Sequence, residues 1–277
     1  MINGKTILLP LFGFPTETFK APMIYNPWFE KHGINALVVP MGVLPEDYPA
    51  LLKSVFRLTN IRGALVTMPH KVTTVDLLDE VSTTVKIAGS CNAILKRPDG
   101  SLLGDMFDGT GFVRGLRRNG FIFAGARCLV VGSGGVGSAI AASLAAEGVA
   151  MITVFDTCTS SAEALVSRLK KYYPQMEARV AVNDPTGYNL VVNATPLGMK
   201  AGDPLPIDVS RLESTTFVGE VVTKTEITPL LQAAIERSCQ YQIGTCMLFE
   251  MIPAYLEFFG FGSTSSDELR EVANISY

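Results

Sequence analysis

The sequence predicts an α/β fold built from two successive units, each a mostly parallel sheet covered by helices. Three observations carry this. Short apolar runs of strand length alternate with stretches of helical period in both halves of the chain. One such run passes into the pattern Gly132-Ser133-Gly134-Gly135-Val136-Gly137, followed by an alanine-rich stretch. A length of 277 residues is enough for two hydrophobic cores, and 48% hydrophobic against 18% charged residues suits compact packing.

In chain order, Lys5 to Phe12 is an apolar run bounded by Gly4 and Gly13, a first strand. Asn35 to Pro40 and Gly63 to Thr67 read as further buried strands. Between them, Pro45 to Leu58 carries leucine, valine and phenylalanine at helical spacing. The alternation resumes with the strand Cys128 to Val131, the helix Ser138 to Glu147 and the strand Ala150 to Phe155. A helix near Ser160 to Tyr173 and a strand from Leu190 to Ala194 follow. Cys246 to Phe259 is strongly apolar and helix-like with no strand after it, so it is expected to return to the first unit. These elements imply a first domain of residues 1–106 joined by a C-terminal helix at 246–277, and a second domain of residues 107–245.

The glycine pattern has a mechanical reading. Gly132 permits a tight turn after a strand, Gly134 lets backbone approach a pyrophosphate, and Gly137 lets helix and strand pack closely. Unpaired N–H groups from Gly135 and Val136 onward would face the phosphates with the positive end of the helix dipole. Asp156 ends the next strand, where an acid can accept from ribose hydroxyls. Dinucleotide binding follows from this strand–turn–helix–strand context, which glycines alone would not supply.

Bulk properties exclude several classes. A net charge of -3 and a pI near 5.5 argue against nucleic acid as partner. The uncharged stretch Cys128 to Ala146 is long enough to approach a membrane span, but its central glycines would break a lone helix. Five cysteines without C-x-x-C spacing suggest neither a disulfide framework nor a zinc site, and two histidines make a histidine-based metal site a poor expectation. The start of the chain lacks the layout of a secretory signal, so a cytoplasmic location is expected. The expected partner is a small molecule. A homodimer is compatible with the sequence.

Further motifs appear in order: Gly13 and Pro15, then Pro22 and Asn26; Val66-Thr67-Met68-Pro69-His70-Lys71; Gly89-Ser90-Cys91-Asn92-Ala93; Gly104-Asp105-Met106-Phe107-Asp108-Gly109; the glycine loop; Asn193-Ala194-Thr195-Pro196-Leu197-Gly198-Met199; Thr228-Pro229-Leu230-Leu231; and Gly244-Thr245-Cys246-Met247-Leu248. The run resembles the shikimate dehydrogenase family over essentially the whole chain. The resemblance implies an N-terminal α/β substrate domain, a Rossmann-type doubly wound cofactor domain and a C-terminal helix returning to the first. It implies reversible NAD(P)-dependent oxidation of a secondary alcohol of shikimate or of a related cyclic hydroxy acid such as quinate. That reaction needs a hydride acceptor and a base for the hydroxyl proton. By resemblance Lys71 and Asp108 form the proton-handling pair, Asn92 binds a ring hydroxyl and Thr67 lines the substrate site. Asn193, Thr195, Pro196 and Met247 are expected near the cofactor. His70 stands beside Lys71, but its position varies in the family, so a catalytic part for it is not expected.

The departures lie on the substrate side. The family loop holds the substrate carboxylate with Ser-x-Ser, where this chain has Phe19-Lys20-Ala21. Neither Phe19 nor Ala21 has a side-chain donor, so Thr16, Thr18 or Lys20 would have to supply the grip. The family's tyrosine corresponds to Thr223. Its glutamine after Met-Leu is matched to Glu250, which when ionised only accepts hydrogen bonds and disfavours an anion. On the cofactor side, NADP-using members carry an arginine after the second strand. Here the segment is Phe155-Asp156-Thr157-Cys158-Thr159, so NAD is expected in preference to NADP. Two alternatives stay open: a dehydrogenase for an aminated analogue held by Glu250, and a regulatory protein that binds NAD and ligand without turnover.

Overall fold

The strands foreseen in the sequence form within two residues of their expected ends. The computed structural model describes residues 2–275, which divide into two units. The first comprises the chain up to Phe107 together with Met251 and the described residues after it; the second runs from Asp108 to Glu250. The C-terminal return thus begins at Met251, not Cys246. Residues 276 and 277 of the expected C-terminal helix lie outside the described residues.

The first unit contains β1 (Ile7–Gly13), α1 (Pro22–Lys31), β2 (Ala36–Gly42), α2 (Tyr48–Val55), β3 (Gly63–Val66), α3 (Lys71–Thr74), β4 (Glu80–Val81), α4 (Thr83–Ala88), β5 (Ala93–Lys96) and β6 (Leu102–Asp105). Its sheet has the order β2-β1-β3-β5-β6-β4. The strands β1, β2 and β3 are parallel, but β5 runs antiparallel to both of its neighbours. The reason is local. Arg97 to Ser101 makes a tight reversal with Gly100 at φ +88°, and Asp99 Oδ1 accepts from the Ser101 backbone N–H at 2.9 Å. A reversal that short joins antiparallel strands only.

The edge strand β2 is closed by a side chain. Asn26 Oδ1 accepts from Val38 N at 2.8 Å and its Nδ2 donates to Val38 O at 3.0 Å, as a neighbouring strand would. Two residues on, the next outward-facing position is Pro40, which has no N–H.

The second unit contains α5 (Asp108–Arg118), β7 (Arg127–Val131), α6 (Gly135–Ala146), β8 (Met151–Phe155), α7 (Thr159–Tyr172), β9 (Glu177–Val180), β10 (Leu190–Asn193), β11 (Phe217–Glu220), α8 (Pro229–Glu236) and β12 (Tyr241–Gln242). All its strands are parallel, in the order β12-β11-β10-β7-β8-β9. This is the doubly wound Rossmann arrangement, whose strand order reverses between β7 and β10. Nearly every face of α6 is buried, because alanine and glycine let α5 approach closely. A Cβ on Gly109 would strike the Ala139 carbonyl oxygen and Ser143 Oγ.

The C-terminal region is two helices, α9 (Gly244–Phe258) and α10 (Ser266–Val272), where one was expected. Gly260 and Gly262 have φ of +73° and +94°, which end the first helix, and Ser265 caps the second through Glu268 N. Within the first unit Phe259 is 2% exposed and its ring lies over Gly63 of β3. Burial of such a ring contributes about 2–3 kcal/mol, and any side chain at Gly63 would displace it. Among the described residues no helix is long and apolar enough to cross a membrane.

Candidate active site

In the first unit, backbone pairing gathers the motif residues at the C-terminal ends of β1 and β3. Thr67 N donates to Phe12 O at 2.8 Å, and Val66 N to Asn92 O at 2.8 Å. Cys91 N donates to the Lys71 carbonyl at 2.8 Å, so Lys71, in the first turn of α3, lies beside the strand start that carries Asn92. Lys71 is 8% exposed and Asn92 1%. Asn92 Oδ1 accepts from Phe107 N at 2.9 Å, which fixes its amide orientation, and Tyr255 Oη donates to Asn92 O at 3.2 Å. Asn92 Nδ2 is buried and has no partner. A buried amide donor left unpaired costs about 1–3 kcal/mol, so a partner for it should come from outside the protein.

The loop after β1 differs in character. A Cβ on Gly13 would lie 2.6 Å from Phe19 Cζ and would strike the Thr67 methyl, so the Phe19 ring is seated against the Gly13 backbone beside Thr67. Ala21 is buried at the start of α1 and makes no side-chain cap. Thr18 and Lys20 are half-buried, and Lys20 already interacts within the protein.

His70 has a structural part. Its ring stacks on Tyr48 at 4.1 Å between centroids, and its Nε2 lies 3.0 Å from Val43 O. Burial lowers its pKa more than the Val43 carbonyl raises it, so the imidazole stays neutral near pH 7.

In the second unit Gly132 and Gly137 make the tight turn and the close packing expected of them. Gly132 has φ +101°, and a Cβ there would lie 2.8 Å from Ala194 O. A Cβ on Gly137 would strike the Gly132 carbonyl, whereas one on Gly134 meets no atom within 4 Å. Gly134 caps α6 in extended conformation, followed by Gly135 and Val136. Open space beside Gly134, at a helix N-terminus and next to the sheet's switch point, fits a dinucleotide phosphate.

Asp156 Oδ2 accepts from Ser133 N at 2.6 Å and Ser133 Oγ at 2.8 Å, and Oδ1 accepts from Cys158 N at 2.8 Å. Burial pushes the Asp156 carboxyl up, but these donors outweigh it and hold it below the usual aspartate range. The carboxylate therefore also ties the glycine loop to β8, a part for Ser133 that motif reading did not assign.

Asn193 and Thr195 are engaged with each other and with the fold. Asn193 Nδ2 donates to Leu197 O and to Glu220 Oε1, both at 3.0 Å. Its Oδ1 accepts from Thr195 N at 3.1 Å and Thr195 Oγ1 at 2.7 Å. Glu220, fully buried, also accepts from the backbone of Val221 and Val222 and from Thr228 Oγ1 at 2.9 Å. Burial raises the Glu220 carboxyl above the usual range against the pull of these donors. The Asn193–Thr195 side chains thus shape the loop after β10, with Pro196 exposed at its tip and Met247 buried in the second unit. Sequence reading missed Glu220. Its signal was a lone acid ending the apolar run Phe217-Val218-Gly219.

Asp108 opens α5 and is 2% exposed. Glu250 lies within the second unit, where Arg118 Nη1 stands 3.8 Å from its carboxylate. Five residues separate it from Tyr255 on α9, about 140° around the helix, so the two occupy different faces.

Residues 11–94 match the shikimate dehydrogenase substrate binding domain. The chain is 32% identical over 270 residues to a shikimate dehydrogenase (NADP(+)) of Acidiphilium cryptum, covering 97% of this chain and 96% of that protein. Among solved structures, shikimate 5-dehydrogenase from Listeria monocytogenes in complex with shikimate and NAD superposes with TM-score 0.86 at 26% identity, covering 98% and 97% of the two chains. The ligand-free 5-ketofructose reductase of Gluconobacter sp. strain CHM43 gives TM-score 0.85 at 25% identity, covering 98% of each. With the doubly wound sheet, the glycine cradle and near full-length identity together, the chain belongs to the shikimate dehydrogenase family and is an NAD(P)-dependent dehydrogenase.

Proposed function

We propose that the protein catalyses reversible, NAD-preferring oxidation of a secondary alcohol on a hydroxylated compound related to shikimate or quinate. The observation that carries the substrate side of this reading is the buried, unpartnered Asn92 Nδ2 beside the strand start that also anchors the Lys71 backbone. Asn92 donates to a substrate hydroxyl. Lys71 Nζ receives the proton of the reacting hydroxyl, and Asp108 accepts a hydrogen bond from that hydroxyl and orients it. A bound nicotinamide supplies the acceptor for the hydride leaving the carbinol carbon. Burial of Lys71 and Asp108 keeps the proton from exchanging freely with solvent.

The preference for NAD rests on Asp156. Residues 157–161 carry no lysine or arginine, and an ionised Asp156 repels a 2′-phosphate while accepting from a free ribose hydroxyl. Relatives named for NADP(+) and a relative solved with NAD both exist, so family membership leaves the choice of cofactor to this chain's own residues, and Asp156 supports NAD. That a relative of this fold is a 5-ketofructose reductase supports a dehydrogenase chemistry not tied to one ring acid. Steady-state turnover of shikimate and quinate with each cofactor tests the reading. NAD should give a kcat/KM at least about tenfold above NADP, and an equal or higher value with NADP would overturn the preference.

A further inference from the structure

We propose that Glu220 is a positioning residue for the cofactor: its ionised carboxylate sets the loop after β10 on the floor of the dinucleotide crevice. The inference concerns the second unit alone. It rests on dinucleotide binding there, and not on the preference for NAD or on the identity of the substrate.

Three strand ends stand in register beside the switch point of the sheet. Asn193 of β10 pairs with Val131 of β7 on one side and with Glu220 of β11 on the other. The chain beyond Val131 is the glycine turn, and the chain beyond Asn193 lies directly on it. Ala194 N donates to Val131 O at 2.8 Å, and a Cβ on Gly132 would lie 2.8 Å from Ala194 O. A Cβ on Gly137 would come within 3.2 Å of the Ala194 methyl. A shift of this loop therefore disturbs the turn that faces the pyrophosphate.

Glu220 governs the loop through Asn193. Each hydrogen-bond partner of its carboxylate among the described residues is a neutral donor. Asn193 Nδ2 reaches Oε1 at 3.0 Å, the N–H groups of Val221 and Val222 reach it at 2.9 and 3.1 Å, and Thr228 Oγ1 reaches Oε2 at 2.9 Å. Only an ionised carboxylate accepts from all of them. No charged side chain stands among the groups that shift it, and burial raises its pKa above the usual glutamate range. Protonation adds a hydrogen to a carboxyl that already faces only hydrogens. The Asn193 amide, which also holds Leu197 O, then loses its hold on Glu220, and the loop is released from β11.

NAD binding to the full chain is measured by titration calorimetry at about pH 7 and about pH 5, with circular dichroism confirming the fold at both. Affinity should fall about fivefold or more on acidification, because the ionised form binds best. Glu220→Gln should bind NAD weakly at both pH values, with no further loss in acid. Glu220→Asp, which keeps the charge, should restore the pH dependence. A merely structural part would lower the melting temperature and leave the affinity of the folded protein independent of pH. His32 and His70 lie in the first unit and are present in all three proteins, so they cannot produce a slope that Glu220→Gln lacks. Asp156, held below the usual aspartate range, stays ionised throughout. A parent affinity that does not change with pH, or a Glu220→Gln slope equal to the parent's, overturns the proposal and leaves dinucleotide binding in place. Where the variants do not fold, NMR of isotope-labelled asparagine side chains in the parent decides. The Asn193 amide signal should move with the same midpoint as the NAD affinity, and a different midpoint overturns the proposal.

Discussion

Two asparagines end up at strand termini of the two sheets, and their side chains are used in opposite ways. Asn193, closing β10, places both amide protons and both oxygen lone pairs on protein partners, with the buried Glu220 as the hub. Asn92, just before β5, spends its oxygen on Phe107 N and leaves its amide nitrogen buried and unpaired. The family motifs present both residues alike. Their surroundings separate an asparagine that builds a loop from one whose donor stays unpaired in a buried site at a cost in stability, the donor we propose a ligand meets.

The sharpest way to break this contrast is to remove each asparagine. Asn193→Ala leaves the Glu220 carboxylate buried with fewer donors, so stability should fall by about 2–3 kcal/mol. In a thermal melt the second unit's transition should drop by roughly 10 °C; a variant melting like the parent would show that Asn193 is not part of the architecture. Asn92→Ala removes an unpaired donor and exposes the Phe107 N–H, two effects that offset. Its melting temperature should stay within a few degrees while kcat/KM falls about 10- to 100-fold, in line with one lost hydrogen bond to substrate. An unchanged kcat/KM would sink the ligand-facing assignment.

A smaller effect sharpens the comparison at Asp156, which ties the glycine loop and which we propose also meets the cofactor ribose. Its carboxyl is held below the usual range in the fold, so the stabilisation it gives is present above the unfolded value of about 4. It is lost as pH falls through the lower, folded value. Asp156→Asn should therefore differ from the parent by a constant margin, under about 1 kcal/mol for so exposed a group, at neutral pH. The margin should close below about pH 4. A margin independent of pH between 7 and 3 would show that the Ser133 and Cys158 bonds do not depend on the charge.

The glycine loop could be read from the sequence because each glycine answers a constraint set within a few residues: a turn, a helix cap, a carbonyl one turn away. The parallel strands β1, β2, β3, β7, β8 and β10 were legible for the same reason, as apolar runs, whereas the short or mixed β4, β9, β11 and β12 were not read. The antiparallel β5–β6 pair was not, although Pro98-Asp99-Gly100 carried a turn signal. The duties of Asn193 and Thr195 depend on Glu220, 27 residues further on. No local pattern reveals such a partner.

The amide of Asn26, lying along β2 as a substitute strand, has a consequence for assembly. With Val38 already paired on its outer side and Pro40 lacking a donor, the first unit's sheet cannot be lengthened by another chain at that edge. Self-association at the β2 edge therefore has to use side-chain surfaces instead of backbone pairing. The same two residues guard an otherwise flat parallel edge against fibril-type growth, so Asn26→Ala with Pro40→Val would be the pair of changes that turns a discrete particle into an aggregating one.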